Sequence, residues 1–79
     1  MRVLLFAHLK DATGVAELEM NISDGLDADG FWRALIAAQP GLAKFRPTTR
    51  LARNGEYADA QTRFADGDEV ALIPPVSGG

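Results

Sequence analysis

The stretch Asp66-Gly67-Asp68-Glu69-Val70-Ala71-Leu72-Ile73-Pro74-Pro75 decides the fold. Asp66-Gly67-Asp68 is turn chemistry, and Glu69 to Ile73 is an apolar run of strand length. Proline has no N–H to give a sheet ladder, so the diproline ends that strand at Ile73. Only one other segment is comparably apolar: residues 2–9, which His8 alone interrupts inside. Such runs suit strands buried on both faces. The first and last strands are therefore expected side by side in the centre of one sheet. Val3, Leu5, Ala7 and Leu9 would share one face, and Leu4, Phe6 and His8 the other.

The rest of the chain fills in around that pair. Lys10 to Gly14 is polar and glycine-ended, and reads as a turn. Val15 to Ile22 alternates Leu18, Met20 and Ile22 against Glu17, Glu19 and Asn21, a half-exposed strand that would make a hairpin with the first. Asp27 or Asp29 caps a helix running through Phe31 to Gln39. Phe31, Ala34, Leu35 and Ala38 form its apolar stripe, and Pro40-Gly41 stops it. A helical turn is expected at Leu42 to Phe45, before Arg46-Pro47. Leu51 to Arg53 reads as a short strand, Asn54-Gly55 as a tight hairpin turn and Glu56-Tyr57 as the return. One main helix laid on one face of a mixed sheet gives a two-layer α+β domain over residues 1–73. That order of elements is the β-grasp, or ubiquitin-like, arrangement.

Composition narrows the function. The chain has 79 residues, 47% of them hydrophobic, which suits one domain with a modest core. It contains no cysteine, which removes disulfides, thiolate metal sites and a cysteine nucleophile. A net charge of −3 argues against nucleic acid and suits a basic protein partner. The opening apolar run is short and lacks a signal-peptide cleavage site. Nothing approaches the roughly 20 apolar residues of a membrane span, so a soluble cytoplasmic protein is expected.

The side chains offer no catalytic constellation. His8, the single histidine, reads as a structural strand residue beside Phe6. Asp24, Asp27 and Asp29 crowd a helix start, where the dipole favours them, and they lack calcium-loop spacing. Asp66, Asp68 and Glu69 are explained by their turn. Arg46, Arg50 and Arg53 read as a solvated face or as a contact for an acidic partner, and Trp32 as core. No phosphate loop or metal-ligand spacing is present, and no bound cofactor is expected.

What remains is the main-chain carboxylate of Gly79. Residues 74–79, Pro74-Pro75-Val76-Ser77-Gly78-Gly79, form an extended tail. Diproline favours a polyproline II course, and six such residues reach up to about 19 Å at about 3.1 Å each. Gly78 and Gly79 have no Cβ and fit a channel too narrow for other residues. A stiff stalk with a slim carboxylate suits delivery into another protein's active site.

Three stretches, "VLLFAHLKDATG" from Val3, "RLARNGEY" from Arg50 and "DGDEVALIPPVSGG" from Asp66, carry a family resemblance. Through essentially its whole length the chain resembles the small subunits of molybdopterin synthase, the ubiquitin-like sulfur carriers. Related thiamin-pathway carriers share Gly-Gly but usually lack the diproline, and ubiquitin-like modifiers typically place basic residues before it. Two departures mark this chain: "ISDGLDADGFWRAL" is unusually acidic, and Leu72-Ile73 stands where aromatic residues often occur.

The resemblance implies a chemistry. A ubiquitin-activating-like adenylating enzyme would join Gly79 to AMP from ATP, and a sulfur donor would convert the adenylate to a thiocarboxylate. The tail would enter the large synthase subunit, which holds the catalytic residues, and give sulfur to cyclic pyranopterin monophosphate. Two transfers would build the molybdopterin dithiolene, in an assembly of two small and two large subunits. Gly79 is then a consumed reactant and Gly78 gives it clearance. Phe6, Leu72, Ile73, Pro74, Pro75, Val76 and Ser77 are candidates for partner docking, although strand alternation sends some of the apolar ones into the core. Three other readings stand beside this one: a sulfur carrier for thiamin or cysteine synthesis, a covalent modifier joined to lysines through Gly79, and a non-covalent module with an incidental tail.

Overall fold

The structure, a computed structural model, describes residues 1–22 and 25–75. Its elements run β1 (Arg2–Leu5), α1 (Ala7–Thr13), β2 (Glu17–Glu19), α2 (Ala28–Ala38), a 3-10 helix (Pro40–Thr48), β3 (Arg50–Arg53), β4 (Glu56–Tyr57) and β5 (Glu69–Ile73). Among the described residues the sheet has five strands in the order β2-β1-β5-β3-β4. The central pair is parallel: Arg2 lies opposite Glu69, and Leu5 opposite Leu72. β2 flanks β1 antiparallel, and β3 flanks β5 antiparallel. The expected centre of the sheet is therefore present, and β5 ends at Ile73 where the diproline begins.

The largest departure from expectation lies between residues 6 and 14. Strand β1 stops at Leu5, and Ala7–Thr13 is helical, so β1 and β2 are joined by α1 and not by a tight hairpin. The corner is made by Ala7, which takes φ 50°, a left-handed conformation uncommon for a residue with a Cβ. Gly14 closes the helix in the same region, φ 79°, and its N–H donates to the Lys10 carbonyl at 2.7 Å. Leu9, expected on a strand face, enters the core from α1 and is fully buried. His8 is exposed on that helix, with its ring 5.4 Å from that of Phe45. The alternation begun by Leu18 in β2 continues beyond the strand: Leu18, Met20 and Ile22 all pack inward.

Asp27 caps α2, its carboxylate accepting the Gly30 N–H at 2.8 Å. The buried stripe of α2 is Phe31, Trp32 and Leu35, while Ala38 at its last turn is exposed. Pro40 both ends α2 and opens the 3-10 helix, which runs past the expected turn to Thr48 and buries Leu42. On the inner face of the sheet Val3, Leu5, Leu51, Val70 and Leu72 meet these helices. Phe64, in a stretch with no expected element, is fully buried and stacks on Phe31 with centroids 5.2 Å apart. It is held by a bridge to Leu26, donating its N–H to the Leu26 carbonyl at 2.7 Å.

The start of β5 is fixed by polar contacts. Asn54, at φ 50° in the β3–β4 turn, accepts the Glu69 N–H at 2.9 Å and donates from Nδ2 to Asp68 at 3.0 Å. Asp68 also accepts the Ala65 N–H at 2.8 Å, with Arg53 at 4.0 Å. The Ala65 amide, then Asn54 and Arg53, hold the Asp68 carboxyl below the ordinary carboxylate range against its partial burial. A depressed folded-state value stabilises above the unfolded value of about 4, and that gain is lost as pH falls through the folded value. Asp68→Asn is therefore expected to lower the urea midpoint at pH 7 and to leave a smaller gap from the parent near pH 3. An equal gap at both pH values would refute this assignment.

Candidate functional site

The outer face of the sheet, away from the helices, carries the candidate site. Register and period-two alternation place Glu69, Ala71 and Ile73 of β5 on it, beside Leu4 of β1, Arg50 and Ala52 of β3 and Tyr57 of β4. Ala52 and Ala71 are paired across the ladder and their small side chains leave a groove of about 310 Å³. Phe6 and Tyr57 line it, with Ile73 toward the end of β5 and Glu69 toward its start. Phe6 is 45% exposed and Tyr57 58%, unusual values for large apolar rings on a small domain. Such a patch beside the end of β5 is the candidate interaction surface.

The docking candidates among the described residues can now be placed. Phe6 follows β1 directly, with extended backbone, φ −124° and ψ 157°, and lines the groove. Ile73 lines it as well. Leu72 does not: it is fully buried on the inner face, so it belongs to the core and not to a docking patch. Pro74 and Pro75 follow β5 outside any strand, the second exposed. Val76, Ser77, Gly78 and Gly79, where the reactive end is expected, lie outside the described residues.

Sequence reasoning missed Ala52, Ala71 and Tyr57 as site residues. Their signal was present: once Leu51 and Leu72 are inward, their neighbours must face out. The basic run proves not to be one patch. Arg46 reaches Asp29 at 2.8 Å, and that hydrogen bond, with Arg33 nearby, holds the Asp29 carboxyl below its usual range. Arg53 donates to the Arg63 carbonyl at 2.7 Å and lies near Asp68. Arg50 alone of the three stays on the outer face, its guanidinium 3.9 Å from the centre of the Tyr57 ring. Among the described residues no group of three or more His, Asp or Glu side chains could hold a metal ion. No described helix is long and apolar enough to cross a membrane.

This geometry gives the main chain at residue 73 a fixed exit beside an apolar groove, and residues 3–79 match the ThiS family. The chain belongs to the ThiS family. A relative from Chlamydomonas reinhardtii, named molybdopterin synthase sulfur carrier subunit, is 41% identical over 81 residues, covering 100% of this chain and 98% of that protein. The crystal structure of small archaeal modifier protein 1 from Haloferax volcanii superposes with a TM-score of 0.85 at 32% identity, covering 100% of this chain and 98% of that one. A chain in the complex of subunits 1 and 2 of molybdopterin-converting factor from Helicobacter pylori superposes with a TM-score of 0.68 at 25% identity, covering 99% and 96%. The ThiS-family chain described here thus has the ubiquitin-like β-grasp fold read from its sequence.

Proposed function

We propose that this chain is the sulfur-carrier subunit of molybdopterin synthase. The observation that carries the reading is the full-length relationship, 41% identity with no part of the chain left out, to a protein named for that role. The outer-face groove and the exposed Phe6 support it by giving the large subunit a surface to hold. The Helicobacter pylori complex supports a large-subunit partner in the same way. In this reading the Gly79 carboxylate attacks ATP on an adenylating enzyme and releases pyrophosphate. A sulfur donor then displaces AMP and leaves a thiocarboxylate, which is anionic at neutral pH and a better nucleophile than the carboxylate. The folded domain supplies no catalyst; ATP is used by the partner. Docking places the tail in the large subunit, where two transfers complete the dithiolene. Two small and two large subunits assemble, in the cytoplasm.

A second reading is favoured by the superposition on small archaeal modifier protein 1: conjugation of Gly79 to lysines of other proteins. Both readings pass through the same adenylate, so the product separates them. The deciding experiment is intact mass after incubation with the cognate adenylating enzyme, ATP and a sulfide source. The expected result is replacement of one oxygen by sulfur, mapped to Gly79. An isopeptide between Gly79 and lysine, with no thiocarboxylate, would establish the modifier instead.

A further inference from the structure

The outer face is not electrically uniform along its length. At the start of β5, Glu69 pairs with Arg2, which Glu17 also holds at 3.1 Å. Arg33 and Arg46 share Asp29, and Arg53 lies by Asp68. Arg50 differs from these. It is exposed, stacked on Tyr57, and forms no ion pair among the described residues. It also stands directly opposite Ile73, the last ladder residue before the tail.

We propose that Arg50 is the ionic anchor of the docking face and binds a carboxylate of the large subunit at the mouth that receives the tail. The proposal rests on the sulfur-carrier reading for the identity of the partner. Its physical basis is desolvation. A partner that covers Ile73 and takes in the following residues also covers Arg50, their neighbour across the ladder. Burying an unpaired guanidinium is costly, and a carboxylate offers its fork two parallel hydrogen bonds. Stacking on Tyr57 holds the fork in advance, which reduces the ordering lost on binding. The acidic group required is local, set against the basic surface that a chain of net charge −3 suits overall. Arg50 opposite Ile73 and the Glu69–Arg2–Glu17 cluster at the start of β5 give the outer face a polarity, so a partner seats one way round.

The test is the affinity of the full chain for the isolated large subunit, by calorimetry at low and high salt. Parent, Arg50→Glu, Arg50→Gln and Arg50→Lys are compared, with thermal melts confirming equal folding. The expected result is a loss of about tenfold or more for Arg50→Glu at low salt. Arg50→Gln should lose less than Arg50→Glu, Arg50→Lys should recover part of the affinity, and the Gln variant should show a weaker salt dependence than the parent. Equal affinity of Arg50→Glu and parent would overturn the proposal. So would equal losses for Glu, Gln and Lys with unchanged salt dependence, which would assign Arg50 a packing role. A defect confined to the adenylating enzyme would move the anchor to the other partner and overturn it too. Failure of the parent to bind any large subunit would remove the sulfur-carrier reading itself, an outcome distinct from those comparing variants.

Discussion

A chain shortened by Gly78 and Gly79 is expected to give no molybdopterin in a reconstituted synthase while melting like the parent. The loss should be complete and not graded, because Gly79 is a reactant in the proposed chemistry and its carbonyl carbon is the atom that receives sulfur. The shortened chain still ends in a carboxylate, now on Ser77, but that group is two residues short of the reacting position and carries a Cβ. Stability should not follow activity, since the core described here is closed without the last residues: Val70 and Leu72 are its most distal buried members. The measurement is dithiolene formation with cyclic pyranopterin monophosphate, paired with circular dichroism melts. Activity surviving the deletion would return the chain to the class of non-covalent modules.

Phe31→Ala should act in the opposite way, through stability and not chemistry. Phe31 is fully buried, stacks on Phe64 and meets Trp32 edge-on at 6.3 Å. Removing such a ring from a core that closes only in part typically costs about 3–5 kcal/mol. At about 0.05–0.15 kcal/mol per residue, 79 residues hold about 4–12 kcal/mol in all. The variant should thus lose about a quarter or more of its stability and be partly unfolded at the low end of that range. Urea titration followed by tryptophan fluorescence measures this directly, since Trp32 lies in the same cluster. A shift below about 1 kcal/mol would mean the site refills on collapse, against the close packing of the two rings.

The central strands, α2 and the Asn54-Gly55 turn were legible because each has a signal at the right period: continuous apolar runs, a capped 3.6-residue stripe, a dipeptide suited to positive φ. α1 was not, and the cause is physical. Seven residues with Leu9 as their single buried member show no helical periodicity, and Phe6 at the cap position provides no side-chain acceptor. Val3 to Leu9 then reads as unbroken strand. The corner depends on Ala7 adopting φ 50°, which local propensity does not foretell, and the helix that follows buries Leu9 in the core. Phe64 was missed for a similar reason: a lone apolar residue among polar ones acquires its place from Phe31, not from its neighbours in sequence. At the candidate site, the residue types suggest a chemistry for Gly79, which lies outside the described residues. Which apolar residues dock and which are core was not legible in them, because that choice depends on the register that turns Ile73 outward and Leu72 inward.

The parallel pairing of β1 with β5 has a consequence for how the molecule comes into being. Arg2 and Glu69 meet across 67 positions of chain, so the ladder at the heart of the sheet must wait for nearly all of the intervening sequence. Contacts of such separation are late and slow to form. During synthesis β1 leaves the ribosome first, and until β5 follows, only the short strand β2 is there to pair with it. β5 is also the strand on which the diproline stalk is mounted. An interrupted chain therefore lacks both the closing strand and the residues to which the proposed chemistry is assigned. Placing the stalk on the last strand makes quality control a matter of topology.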